Sequence, residues 1–208
     1  MKVKAVSTGQ ESQPARTFTV LPVIPPLYFN TTPVTLSGRI YLIPGSPVLP
    51  AFGPGTSVQH QASGGQPPYV YSSSNGNVAV VDAQSGLVTV RGNDSATISV
   101  TDQAGQRKSY LVSVTAVTQC YGLSANWLSR VGDEAKSRGL RLPSMGELRA
   151  ISSSFGNRWP LGNSFYWSNE SILYWPNPNP YYHCRNLVTG EERAIMNLNV
   201  IPGVGITP

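Results

Sequence analysis

Charge is what this chain has least of. Only 12% of its 208 residues are Asp, Glu, Lys or Arg, about half the share usual in globular proteins. The net charge of +5 is also spread out. Residues 1–117 carry seven basic against four acidic side chains, and residues 118–208 carry eight against six. No run of Lys or Arg interleaved with aromatics occurs, which argues against nucleic acid as a partner. No stretch of about 18 apolar residues occurs either, so no membrane-spanning helix is encoded and direct membrane insertion is not expected. The opening MKVKAVSTGQ lacks the apolar core of an export signal. If the chain acts outside the cell, it is expected to be a fragment or a processed form of something longer. The two histidines, His60 and His183, fall in different halves, and no CxxC spacing exists. A zinc site is therefore disfavoured, and no metal or other cofactor is expected.

Cysteine is nearly absent too. Cys120 and Cys184 both lie in the C-terminal half. In a chain with an extracellular-type composition they predict a single disulfide bracing that half; the alternative is two unrelated buried thiols. A bridge over a loop of this length would contribute about 4 kcal/mol through the unfolded state.

What the chain does have is turn chemistry, with 20 Gly and 18 Pro, and two distinct sequence patterns. Residues 2–21 read as two alternating runs joined by TGQESQPA, and VLPVIPP follows as a stiff connection. Residues 1–29 are thus expected to be a hairpin and linker, the tail of a preceding sandwich domain. From Val34 to Val117, short alternating runs near residues 34–43, 56–62, 68–73, 77–82, 86–91, 95–101 and 107–117 are separated by turns such as ASGGQPP, SSNGN and QAGQ. Seven short strands at this spacing predict an all-β Ig-like sandwich over residues 30–117.

After Thr118 the pattern changes. LSANWLSRVGDEAKSR (residues 123–138) sets Leu123, Trp127, Leu128, Val131 and Ala135 near one helical face, with Ser124 as N-cap and Gly139 as terminator. RLPSMGEL places Ser144 and Glu147 at capping-box spacing, predicting a second helix from Met145 to Ser153. FYWSNES, ILYW, YYHCRNLVTG and RAIMNLNV then read as strands, giving an α+β module over residues 118–208.

Both halves resemble known families. Ser73, Ser74, Asn75, Val78, Ala79, Val81, Asp82, Gly86, Val88, Thr89, Gly92, Ala96, Thr97, Ile98 and Val100 carry a likeness to the bacterial Ig-like domains of group 2. Asn93 and Asp94 depart from that pattern where a tighter Gly turn is usual. Trp127, Ala135, Gly139, Arg141, Leu142, Pro143, Ser144, Glu147, Leu148, Tyr166, Trp167 and Ser168 resemble the C-type-lectin-like domain, especially its reduced form at the tips of intimin and invasin adhesins. The resemblance to the passenger region of that family implies a spacer followed by a disulfide-braced tip. It also implies an extracellular location on a bacterial cell surface, as part of an outer-membrane-anchored or secreted protein.

Calcium-dependent sugar binding does not carry over. That chemistry uses Glu-Pro-Asn or Gln-Pro-Asp loops and a Trp-Asn-Asp strand, because calcium needs carboxylate oxygens. The loop here is WPNPNPYYH. It remains the best contact candidate, because Tyr174, Trp175, Tyr181 and Tyr182 crowd around prolines and Asn177 and Asn179 add amides. The bland reading makes Trp175 and one tyrosine core residues. Arg158 and Trp159 form a second candidate, although Trp159 is also suited to capping the fold. No catalytic residues are assigned. Formylglycine-generating enzymes share the lectin-like fold, but their chemistry depends on reactive cysteines. His183 and Cys184 are neighbours on a strand and point to opposite faces. With one histidine, the module also lacks the inventory for a Ser-His-Asp triad. The expected partner is a protein receptor on a host cell or in a bacterial envelope. Two alternatives stand beside it: a secreted effector of the same modules, exported by a partner β-barrel, and a glycan-binding module that works without calcium by aromatic stacking.

Overall fold

The alternating run from Val34 to Ile43 does not form one strand; it changes sheets midway. Gly38 sits at the break, where a Cβ would lie 2.3 Å from the Pro54 carbonyl oxygen. Its N–H instead donates to Gly55 O at 2.9 Å, and only glycine allows so close an approach. The break yields β2 (Val34–Leu36) and β3 (Ile40–Leu42). A computed structural model describes residues 23–173 and 178–208. The expected hairpin over residues 2–21 lies outside them.

The Ig-like module is a sandwich. One sheet has the order β2, β10 (Arg107–Val114), β9 (Asp94–Thr101), β6 (Val70–Ser73), and the other the order β4 (Ser57–Gln59), β8 (Leu87–Val90), β7 (Ala79–Val81). Register follows the hydrophobic alternation: Tyr110 faces Ile98 and Val112 faces Ala96. Val88, Val90, Ile98 and Val112 pack into one buried cluster. A short ladder of β1 (Leu27–Tyr28) on β5 (Ser63–Gly64) closes one end. Leu27 is buried there with Tyr71 and Val100, so these residues before position 30 pack with the sandwich.

The second module begins with a strand where a helix was expected. β11 (Val117–Asn126) runs through Leu123 and Ser124, so Ser124 is no N-cap. It is held there by β15 (Ile201–Ile206), which pairs Cys120 with Ile206 and Leu123 with Gly203. This long-range pairing overrides the local helical period. Helix α1 is therefore shorter (Leu128–Ser137), with Trp127 at the N-cap position and no side-chain cap. Leu128, Val131 and Ala135 are buried as predicted. Gly139 ends the helix at φ +67°. Gly139 N–H bonds Lys136 O, and Leu140 N–H bonds Ala135 O, the paired bonds of a Schellman motif.

Helix α2 (Met145–Phe155) has the predicted capping box, with Ser144 accepting from Glu147 N–H and the Glu147 carboxylate accepting from Ser144 N–H. Arg141 locks this arrangement with two hydrogen bonds to Glu147, of 2.8 and 2.6 Å. A short 3-10 turn (Gly156–Arg158) follows, then the sheet of β12 (Phe165–Ile172), β13 (Tyr181–Asn186) and β14 (Glu192–Met196). The expected bipartite class, an Ig-like sandwich followed by an α+β lectin-like unit, is what forms.

The modules do not meet at a loop. β3 pairs in parallel with β11, Ile40 to Val117 and Leu42 to Gln119, so one sheet of order β15, β11, β3 crosses the junction. Strand alternation then divides three consecutive residues between two cores. Ile40 and Leu42 enter the sandwich core, while Tyr41 enters the second module's core with Leu148, Phe155 and Leu187. Polar contacts reinforce the seam. The Asn93 amide group bonds both N–H and C=O of Val117, Gln119 Nε2 donates to Arg91 O at 2.9 Å, and Ala51 N–H donates to Ser154 O at 2.9 Å.

Candidate contact surface

Direction within the second module follows from β11. Its first residues touch the sandwich and its last, Asn126, pairs with Ile201. At about 3.3 Å per residue the strand's far end lies about 30 Å from the junction. Four segments converge there. Leu128 N–H donates to Asn197 O, Asn197 N–H donates to Pro180 O, and Trp167 Nε1 donates to Asn126 O at 3.3 Å.

Between these segments lies a cleft of about 380 Å³, lined by Leu128, Gly132, Leu142, Asn169, Tyr182 and Leu198 among others. Its floor is rigid. Trp167 is fully buried and meets the Tyr182 ring edge-on at 6.5 Å. The strand register shifts between Trp167 and Ser171. Ser168 Oγ donates to His183 O at 2.6 Å, and Asn169 N–H donates to Pro143 O, so this bulge supplies one wall. The same end carries large apolar side chains left in solvent: Trp127 is 48% exposed, Leu198 49%, Val200 61% and Leu173 81%. Isolated exposed leucines are ordinary; several on one end of a small module are the pattern of an interaction surface.

The residues expected to make contact divide by position. Tyr182 lines the cleft. Tyr181, the first residue of β13, and Asn179, just before it, are partly buried but do not line the cleft, and each has a partner of its own. Tyr174, Trp175 and Asn177 lie outside the described residues. Trp159 is a correction. It is 4% exposed and packs edge-on against Phe155 at 5.1 Å and Tyr166 at 5.9 Å, so it serves the core and offers no contact area. Arg158 is exposed but follows the C-terminus of α2, the helix end that bonds Ala51 at the junction. The structure therefore does not bring Arg158 together with the distal cleft.

Trp127, Leu198 and Val200 were not anticipated as surface residues. Trp127 fits a helical core stripe by spacing, but the helix starts only at Leu128, leaving Trp127 outside it at the N-cap position with its side chain half exposed. Leu198 and Val200 read as the end of a strand, whereas β14 stops at Met196 and a turn follows. The asparagines at 197 and 199 were the available turn signal.

The expected disulfide is a second correction. Both cysteines are free thiols. Cys120 is buried beside Tyr41 and Leu148, whereas Cys184 is buried in a different cluster with Val131 and Trp167. Burial pushes each thiol up to about 12. At neutral pH they remain protonated and behave as small apolar core residues rather than nucleophiles.

Comparison with known proteins is consistent with this architecture. The family described as "Intimin, immunoglobulin-like domain" matches residues 54–104. Intimin of Escherichia coli O111:H- is 32% identical over 123 residues, 55% of this chain, and the chain spans 12% of that relative's length. Among solved structures, an intimin mutant of EHEC O157:H7 matches with a TM-score of 0.51 at 22% identity, covering 83% of this chain and 87% of that one. An intimin–Tir90 complex matches with a TM-score of 0.51 at 21% identity, covering 88% and 98%. The resemblance to the passenger region of the intimin and invasin family holds in sequence for the Ig-like module and in fold across both modules.

Proposed function

We propose that this intimin-like chain is the distal passenger region of a bacterial surface adhesin, in which the sandwich is a stiff spacer and the α+β module a tip that binds a protein receptor. The observation that carries the reading is the distal end itself. A cleft walled by Leu128, Leu142, Leu198 and Tyr182 opens beside the far end of β11, amid exposed Trp127, Leu198 and Val200. A pocket with an aromatic side chain and an apolar rim is where protein interfaces concentrate their energy. The intimin structure in complex with Tir90 shows that a relative of this fold engages a protein.

The junction supports the spacer role. A sheet shared through β3 and β11, with Tyr41 seated in the tip core, resists the hinge motion expected of domains joined by a linker. Force on the tip is then transmitted through hydrogen-bonded strands. Binding, not catalysis, is the activity this arrangement serves.

The test is adhesion. Beads coated with the full chain should attach to host epithelial cells, and attachment should be abolished when cell-surface proteins are removed with protease. Adhesion that survives protease but is lost after glycosidase treatment would favour the calcium-independent glycan reading. Attachment to bacterial envelopes alone would redirect the receptor search to the bacterial side.

A further inference from the structure

A second cleft lies at the junction, opposite the distal end, and the receptor reading makes no use of it. It has a volume of about 430 Å³ and takes walls from both modules, with Leu42, Leu49, Asn77 and Arg91 from the sandwich and Gln119 and Tyr121 from β11. Arg91 is the one charged residue among its lining. Among the described residues no carboxylate pairs with it; Nη1 donates to Val90 O at 2.8 Å, and the guanidinium carbon sits 5.5 Å from the Phe52 ring centroid.

That is a costly arrangement to leave incomplete. A guanidinium has five N–H donors in a planar fork suited to a carboxylate. Half-buried without a counter-charge, it loses hydration and gains little in return. Burial accordingly pulls Arg91 below its ordinary pKa. Meanwhile its position is fixed: Gln119 Nε2 grips the Arg91 carbonyl, Arg91 N–H bonds Val78 O, and Phe52 supports the guanidinium. A positively charged group held rigidly in a cleft without an acid is prepared for an anion from outside.

We propose that the junction cleft binds a carboxylate-bearing peptide segment of a partner protein, with Arg91 receiving an Asp or Glu side chain. Leu49 and Tyr121, both partly exposed, receive the apolar residue beside it. This apolar wall favours a peptide carboxylate over free phosphate, which would have only Arg91 and the amide groups to contact. Because the walls belong to different modules, the site exists only while the shared sheet holds them together. It is independent of the distal surface, so either can fail without the other.

The experiment titrates the full ¹⁵N-labelled chain with the capped peptide Ac-Leu-Asp-Leu-NH₂, following backbone amide shifts. Saturable shifts at Gly45, Asn77 and Gln119 are expected. Affinity should fall about tenfold for Ac-Leu-Asn-Leu-NH₂, and by a similar factor for the aspartyl peptide with Arg91→Met, which keeps an apolar stem on Phe52; tenfold is the size of one lost charge-assisted contact. Arg91→Lys should bind more weakly than wild type and more tightly than Arg91→Met, which guards against a folding defect being read as lost binding. Equal affinity for the aspartyl and asparaginyl peptides, unchanged binding by Arg91→Met, or absence of saturable shifts would overturn the proposal. Inorganic phosphate binding as tightly as the peptide would overturn the assignment of ligand class.

Discussion

Replacing Tyr41 by alanine separates a shared core from two modules that merely touch. Tyr41 belongs by sequence to the sandwich, yet its side chain is 3% exposed inside the tip cluster. Truncating a buried aromatic costs about 3–5 kcal/mol. With a urea dependence of about 1.5 kcal/mol per molar, a loss of about 3 kcal/mol lowers the tip's unfolding midpoint by about 2 M. The assay is unusually clean because all four tryptophans, residues 127, 159, 167 and 175, lie in the tip. Tryptophan fluorescence therefore follows that module alone, while hydrogen exchange at Val88 and Val112 follows the sandwich. The expected result is an early fluorescence transition, with sandwich exchange accelerated less than for Ile40→Ala. An unchanged fluorescence midpoint, together with faster exchange at Val88 and Val112, would show that Tyr41 supports the sandwich and that the seam is not a shared core.

Two further predictions concern titration and thiol chemistry. Hydrogen bonding from Arg141, and secondarily from Ser144 N–H, holds the Glu147 carboxyl at about 2 against an ordinary 4.5. A depressed carboxyl stabilises the fold above the unfolded-state value and loses that contribution as pH falls from 4.5 toward 2. With Arg141 43% exposed, solvent screening reduces the effect to about 1–2 kcal/mol. Glu147→Gln should thus lower stability by that amount at pH 7 and leave it nearly unchanged at pH 2, as read by urea midpoints; an equal loss at both values would mean the ion pair contributes nothing. For the cysteines, the native protein should resist alkylation at pH 7.5, and denaturation without reductant should expose two reactive thiols by intact mass. No label uptake after denaturation would restore the disulfide.

The sequence carried the architecture well where local and long-range preferences agree. Val88, Val90, Ile98 and Val112 alternate as sandwich strands and are buried as such. Ser144 and Glu147 announce α2, and the capping box forms. Legibility failed where distant pairing decides the outcome. Residues 123–126 have helical spacing but are recruited by β15, whose Ile-Pro-Gly-Val-Gly-Ile sequence gives little strand signal. Its glycines are needed for packing, since a Cβ on Gly203 would lie 2.3 Å from Val131 Cγ1. The same error in helix start hid Trp127 as a surface residue. Cysteine arithmetic failed differently, because composition speaks to redox environment and not to geometry, and the two thiols belong to separate clusters. Of the contact candidates, Tyr182 lines the distal cleft, whereas Trp159, put forward on the same aromatic character, is buried in the core.

The central claim is that the tip's distal end makes the receptor contact. Its most direct test is bead attachment to host epithelial cells by the full chain carrying Trp127→Ala and Leu198→Ser together. Both side chains are about half exposed, so the tryptophan-fluorescence unfolding midpoint should move little. Loss of two apolar contacts at the centre of an interface should nevertheless weaken binding by about two orders of magnitude. Attachment equal to wild type by a folded double variant would contradict the account and move the receptor site to another face of the tip.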